Sequence, residues 1–88
     1  PSTRPSIRLM SGPGAGKQLE LRKDRMTLGR PGVQVAVIRR LAEGYFISDV
    51  EGPEPIVNGL PTAGQDVALK DQDVVELAGI KLAFLAGG

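Results

Sequence analysis

Glycine and proline interrupt this 88-residue chain at short intervals, and this feature limits its possible folds more than any other. The 12 glycines and 7 prolines are spread along the chain and are not pooled in one linker. Both residue types destabilise a helix interior, and no window between them has a sustained helical period. Apolar and polar residues alternate in the short segments that remain, which is typical of β-strands. The chain is therefore predicted to be all-β.

Eight segments are predicted strands, and their spacing of about 8–12 residues favours a sandwich or a barrel. In the second segment the alternation predicts that Leu19 and Leu21 share the inner face. The fourth segment is apolar throughout, which predicts that both of its faces are covered. The segments are Ile7–Leu9, Gln18–Arg22, Arg25–Leu28, Val35–Ile38, Gly44–Val50, Asp66–Leu69, Val74–Leu77 and Ile80–Leu85.

The connections between these segments carry turn signals of three kinds. Leu41–Gly44 suits a hairpin loop that ends on a glycine. Asn58-Gly59 is the strongest hairpin signal, because a type I′ turn needs positive φ at both central residues. Gly52–Pro55 contains two prolines, which suppress both helix and ladder pairing and predict an irregular loop.

Length and composition exclude several classes of function. The length suits a single domain, predicted at residues 6–86 after a flexible end at 1–5. The chain has no cysteine and no histidine, so we expect no disulfide, no metal centre, no cofactor and no catalytic triad. A net charge of +1 and 3% aromatic residues do not indicate nucleic-acid binding. No apolar run is long enough to span a membrane, and the lack of cysteine suits a cytoplasmic location.

One glycine-rich segment, Gly12–Lys17, is similar to a phosphate-binding P-loop. Its glycines are one residue too close, and Gln18 stands where the motif has the Ser or Thr that holds Mg²⁺. The residues that follow alternate as a strand, so no helix N-terminus faces a bound phosphate. We interpret the segment as a turn between two strands.

The residues from Met26 to Arg30, Met-Thr-Leu-Gly-Arg, resemble a forkhead-associated (FHA) domain, a β-sandwich that binds phosphothreonine peptides. The resemblance continues in order through Val35–Arg40, Gly44–Val50, Val57–Gly59 and Leu69–Gly79. It implies a two-sheet β-sandwich of short, mostly antiparallel strands, with a binding site built from loops at one end.

The resemblance also implies which site residues are kept. Arg30 matches the family's Gly-Arg arginine, which reaches the peptide and its phosphate. Gly32 and Val33 stand where the family's Ser-Arg-x-His segment has its serine and basic residue, and the histidine, which braces the loops, has no counterpart. The later Ser-x-x-Asn-Gly loop is replaced by Glu51–Pro55, and Asn58-Gly59 matches the next, mainly structural turn.

These matches lead to a first function hypothesis, an FHA-type protein-interaction module with weakened or lost phosphothreonine recognition. Its partner is a protein or a phosphopeptide. The predicted binding residues are Arg30, Pro31, Gly32, Val33, Gln34, Gly52, Glu54 and Asn58.

Two other functions stay open at this point. The short loop after Arg30 would bind phosphothreonine if its backbone amides formed an anion nest in place of the lost side chains. Edge strands would support weak self-association if the domain has a structural role. Pairing of Arg30 with Glu51 or Glu54 would fill the pocket from within.

Other charged residues have simpler interpretations. Arg39 and Arg40, adjacent on a strand, are expected to point to opposite faces. Asp73 is expected to bond backbone amides in a turn. Glu51 and Glu54 lie in a Pro/Gly loop without an apolar pocket, so they do not indicate catalysis.

Overall fold

A computed structural model describes residues 4–87, and within this range the chain forms ten β-strands and no helix. Accordingly, no helix of residues 4–87 is long and apolar enough to cross a membrane. The strands are β1 (Ser6–Leu9), β2 (Gln18–Glu20), β3 (Arg25–Arg30), β4 (Gln34–Leu41), β5 (Gly44–Glu51), β6 (Ile56–Val57), β7 (Leu60–Pro61), β8 (Val67–Leu69), β9 (Asp73–Leu77) and β10 (Ile80–Leu85).

The strands form two sheets, as predicted for a sandwich. One sheet has the order β2-β1-β10-β9-β6-β7, and the other has the order β3-β4-β5-β8. Every recorded strand pair is antiparallel. This arrangement leaves β2 and β7 at the edges of the first sheet, and β3 and β8 at the edges of the second.

The core lies between the two sheets and consists of aliphatic side chains around one aromatic ring. The ring of Phe84 on β10 packs against Tyr45 on β5, with a centroid distance of 5.6 Å. Because both sheets contribute to this core, its burial holds them face to face. The largest fully buried apolar side chains are Ile7, Ile38, Ile47, Val75 and Phe84, together with Pro55.

The predicted strands are confirmed except for part of the second. Residues 34–38 are buried without interruption, so both faces of β4 are covered as expected. The second segment forms a strand only to Glu20, and Leu21 is buried beyond its end. The prediction that Leu19 lies inside is wrong in degree, because this side chain is 49% exposed. Its strand is a sheet edge, and no strand of residues 4–87 lies beyond it.

The predicted turns are also confirmed. The β4–β5 hairpin pairs Leu41 with Gly44, and Asn58 and Gly59 have φ values of 50° and 84° between β6 and β7. Residues 12–17 form tight backbone turns that lead into β2, in agreement with the interpretation that excluded a P-loop. Of the predicted flexible end, residues 1–3 lie outside the described residues, and the carbonyl of Pro5 accepts the Leu21 N–H at 2.8 Å.

Five connections meet at one end of the sandwich, which we call the loop end. β3 and β5 run toward this end and β4 leads away from it, so their connections come together. Hydrogen bonds join the connections to one another or to adjoining strands. The loop end consists of residues 10–17, 31–33, 52–55, 62–66 and 78–79.

Candidate functional site: the loop end around Arg30

The turn that follows β3 presents Arg30 at the loop end. The Arg30 carbonyl accepts the Val33 N–H at 3.0 Å, which closes a tight turn, and Arg30 pairs with Gln34 across the ladder. The chain therefore reverses direction within three residues, 31–33. This shortness places Arg30 and Gln34 side by side.

The side chain of Arg30 is exposed, and within residues 4–87 its guanidinium has no hydrogen bond and no ion pair. Neither Glu51 nor Glu54 pairs with it. Arg30 and Leu28 are among the residues that line an apolar cleft of about 220 Å³ between the two sheets. The cation is therefore available to an external anion.

The backbone amides of the turn are, in contrast, already in use. Pro31 has no N–H. The N–H of Gly32 donates to Oε1 of Glu51 at 3.0 Å, and the N–H of Val33 closes the turn. The Glu51 carboxylate therefore already accepts the Gly32 N–H, which an anion nest would need to donate to a bound anion.

Gln34 is a buried polar residue at the loop end, with only 8% of its surface exposed. Its Nε2 donates to the carbonyl of Pro53 at 2.7 Å, and its Oε1 accepts the N–H of Ala78. One side-chain amide thus ties β4 to the β5–β6 loop and to the β9–β10 turn. Because both ends of the amide are satisfied internally, Gln34 is a brace and has little left to offer a partner.

Two glycines allow these loops to approach closely. A Cβ atom at Gly29 would overlap the carbonyl oxygen of Gln34, and one at Gly52 would overlap that of Val33. Both glycines also have positive φ, 107° and 77° respectively. The glycine of Leu-Gly-Arg therefore has a steric role, which places Arg30 at the end of β3.

The remaining predicted site residues are also engaged within the protein. Oε2 of Glu54 accepts the Ala63 N–H at 3.0 Å, which fastens residues 52–55 to the loop before β8. Nδ2 of Asn58 donates to Asp73 at 2.9 Å, and its Oδ1 accepts the Val74 N–H at 2.9 Å. These bonds place Asn58 beside the start of β9, away from the loop end. The structure therefore does not bring it together with Arg30. The other seven predicted residues meet at the loop end.

Arg39 and Arg40 have the separate roles that their strand positions suggested. Arg39 donates to Asp66 at 2.8 Å and to the Ser48 hydroxyl at 3.3 Å, while Arg40 lies 3.6 Å from Asp24. A wider depression of about 590 Å³ includes Arg40 at the β4–β5 hairpin, away from the loop end. Its cation is already paired, unlike Arg30.

Asp73 bonds the Lys70 N–H at 2.7 Å, in agreement with its predicted turn role. Within residues 4–87, no group of three or more acidic residues is placed to hold a metal ion. The site residues that sequence reasoning missed are Pro53 and Ala78, because they act through backbone atoms. Glu51 was recognised as a carboxylate near the site, but its bond to an amide has no sequence signal.

Comparison with known proteins identifies the architecture. No protein-family model matches the chain, and no curated protein matches its sequence. Among solved structures, "Rv0020c_FHA Structure" matches with a TM-score of 0.72 at 22% identity. The match covers 93% of this chain and 91% of the other.

The chain has an FHA fold. This confirms the resemblance at the level of architecture, an all-β sandwich of two antiparallel sheets. Within the FHA fold, the loop end described above is where the resemblance places the binding site.

Two departures from the family pattern that the resemblance implied can be compared with the contacts at the loop end. At Gly32, which the resemblance aligns with the family's serine, the backbone amide is held by Glu51. The chain has no histidine to brace the loops, and Gln34 supplies bonds between them. The loops are therefore held together without a histidine.

Proposed function

We propose that this domain is an FHA-type protein-interaction module that binds a partner protein or peptide through its loop end, with weakened phosphothreonine recognition. The proposed module is cytoplasmic and uses no cofactor and no catalytic step. The FHA fold supports the general class, an interaction domain. The weakened recognition rests on the chemistry of the loop end.

The bond from Gly32 to Glu51 is the observation that carries the proposal. A phosphate approaching Arg30 would meet a turn whose amides are committed and whose nearest acceptor carries a negative charge. Like charges repel, and a phosphothreonine carries about −1.5 to −2 charges at neutral pH. Arg30 alone therefore remains to attract the phosphate.

The expected loss of affinity follows from the missing donors. A hydrogen bond to a charged group contributes about 1.5–3 kcal/mol. Loss of two such bonds lowers affinity about a hundredfold or more. Strong dependence on phosphorylation would thus be lost, while contacts to the rest of a peptide would remain.

The exposed, unpaired guanidinium of Arg30 supports a second candidate, phosphothreonine binding by a rearranged site. This candidate requires the turn amides to exchange Glu51 for phosphate. The two candidates differ in one measurable quantity, the ratio of affinities for phosphorylated and unphosphorylated forms of the same peptide.

The test is a titration of the domain with a peptide library in matched phosphothreonine and threonine forms. We expect the two forms to bind with affinities within about tenfold of each other. In Glu51→Ala, which frees the Gly32 amide and removes the negative charge, we expect the phosphorylated form to gain affinity. The gain should disappear when Arg30→Ala is added.

Glu43→Ala is the matched control, because it removes the same charge at the exposed β4–β5 hairpin. It should not change the ratio. Micromolar binding by the unmodified domain that vanishes on dephosphorylation and in Arg30→Ala would instead establish the rearranged phosphothreonine site.

A further inference from the structure

The strand β3 is an open edge next to the loop end. It pairs with β4 on one side, and no strand of residues 4–87 pairs with its other side. The backbone N–H and C=O groups that point to that side are available to another strand. At six residues, β3 is among the longer strands of the domain.

An apolar cleft of about 220 Å³ is lined by Leu28–Arg30 of β3 and, across from them, by side chains of β1, β2, β9 and β10 in the other sheet. Sites for drug-sized ligands usually measure about 300–1,000 Å³. The cleft is smaller, and its size suits one or two aliphatic side chains. Its apolar lining includes Leu9, Leu19, Leu28, Leu77, Ile80 and Leu82.

The side chains of β3 alternate in a way that relates the edge to the cleft. Met26, Leu28 and Arg30 share the inner face, since successive side chains of a strand point to opposite faces. Met26 and Leu28 are half-buried against the core, and Leu28 and Arg30 both line the cleft. A strand added to β3 would therefore place alternate side chains next to the cleft, with one of them opposite Arg30.

Charge determines which strand fits. Arg25 and Arg30 lie at the two ends of β3, and neither forms an ion pair within the described part of the chain. Arg25 lies directly opposite Arg39 of β4, and because Arg39 is paired with Asp66, the charge available at this end of the strand is that of Arg25. Opposite charges on directly paired residues stabilise a sheet, and like charges destabilise it.

We propose that β3 binds an extended acidic peptide by antiparallel strand addition. In this register an acidic residue of the peptide lies opposite Arg30, aliphatic residues lie opposite Leu28 and Met26, and a second acidic residue lies opposite Arg25. Read from its N-terminus, the peptide is acidic-x-aliphatic-x-aliphatic-acidic. Its backbone completes the edge of β3, and its aliphatic side chains cover the cleft.

The same charges disfavour a second copy of the chain as the occupant. Antiparallel pairing of β3 with its own copy would place four arginines, Arg25 and Arg30 of each copy, along one pair of strands. Like charges at this spacing repel each other. The edge is therefore better suited to an acidic partner than to self-association.

This site shares Arg30 with the loop end but does not rest on the proposed function there. It needs no phosphate, and it uses Arg25 and Leu19, which lie outside the loop end. A loss of binding in variants of these two residues can therefore be attributed to the β3 edge alone.

The test is an NMR titration of the ¹⁵N-labelled domain with the peptide Glu-Ser-Leu-Thr-Val-Glu, blocked at both ends. We expect saturable shifts of β3 and β2 amides. In Arg25→Glu and in Leu19→Asp, affinity should fall by about tenfold or more. The matched controls are Arg8→Glu, on the exposed face of β1, and Leu60→Asp, at a residue that is 71% exposed.

Both controls should bind as the unmodified domain does. The proposal fails if the peptide causes no saturable shifts in the unmodified domain, or if a peptide with its glutamates changed to lysines binds equally well. It also fails if raising the concentration of the domain alone shifts the β3 amides, which would identify a second copy as the occupant. None of these outcomes depends on the phosphopeptide titration, so the two proposals can fail separately.

Discussion

The loop end and the β3 edge adjoin each other, but they differ in how many of their polar groups have partners within the protein. At the loop end the side chain of Gln34 and the amides of Gly32 and Val33 all have partners within the protein. Along the β3 edge, Arg25 and Arg30 form no ion pair within residues 4–87, and one side of the strand backbone is unpaired. Internal pairing holds loops in place, whereas unpaired groups are what a partner can bind.

This comparison separates residues by what their loss should change. Substitutions in the braced loops should lower stability, because they leave buried polar groups unpaired or force backbones apart. Substitutions along the edge should leave stability unchanged and alter binding.

The largest effect is expected from Gly52→Ala. Its Cβ would overlap the Val33 carbonyl, so the β3–β4 turn and the β5–β6 loop must separate, in addition to the strain of a positive φ. We expect the free energy of unfolding to fall by about 3 kcal/mol, measured by urea denaturation. Gly64→Ala is the control, because its φ of 74° is similar and its surroundings are open. An equal loss in both variants would show that the close approach is unimportant.

Gln34→Ala should have the next largest effect. It leaves the Ala78 N–H and the Pro53 carbonyl without their partner at a residue that is 8% exposed. We expect a loss of about 2 kcal/mol in the free energy of unfolding. Gln65→Ala, at an exposed residue, should change it by less than about 0.5 kcal/mol. Similar values for the two variants would contradict the brace.

These two residues also show what sequence reasoning can and cannot reach. Alternation and turn signals predicted the strands and the hairpins, because both follow from local periodicity and backbone preference. The brace at Gln34 was not predicted, since its partners are backbone atoms of Pro53 and Ala78, 19 and 44 residues away. Backbone groups are present at every position, so no residue type marks such a contact.

The arrangement of the candidate site could also be predicted only in part, because some of its contacts involve backbone groups. Arg30 and the residues after it could be located from Leu-Gly-Arg, because a resemblance in residue order places them at one end of a sandwich. The capture of the Gly32 amide by Glu51 could not, because it depends on the spacing of two loops in the folded chain. The open β3 edge also depends on sheet order, which periodicity does not determine.

Asn58→Gly should have a smaller effect, about 1 kcal/mol. Glycine keeps the positive φ of the β6–β7 turn, so the variant removes only the bonds to Asp73 and Val74. Gln72→Gly is the control, because Gln72 has a φ of 73° and no side-chain bond within the described residues. It should unfold at the same urea concentration or a slightly higher one. A loss of partner binding in Asn58→Gly at unchanged stability would show instead that Asn58 contributes to binding.

Arg30→Ala should have the smallest effect on stability, within about 0.5 kcal/mol of the unmodified domain. Its guanidinium has no partner to lose within residues 4–87, and its charge is exposed to solvent and to salt. Arg39→Ala is the matched comparison, because Arg39 bonds Asp66 and Ser48, although its exposure keeps the loss below about 1 kcal/mol. Urea denaturation of both variants measures the difference. A measurable destabilisation in Arg30→Ala would mean that this arginine supports the fold, and its exposed cation would then no longer indicate a surface reserved for a partner.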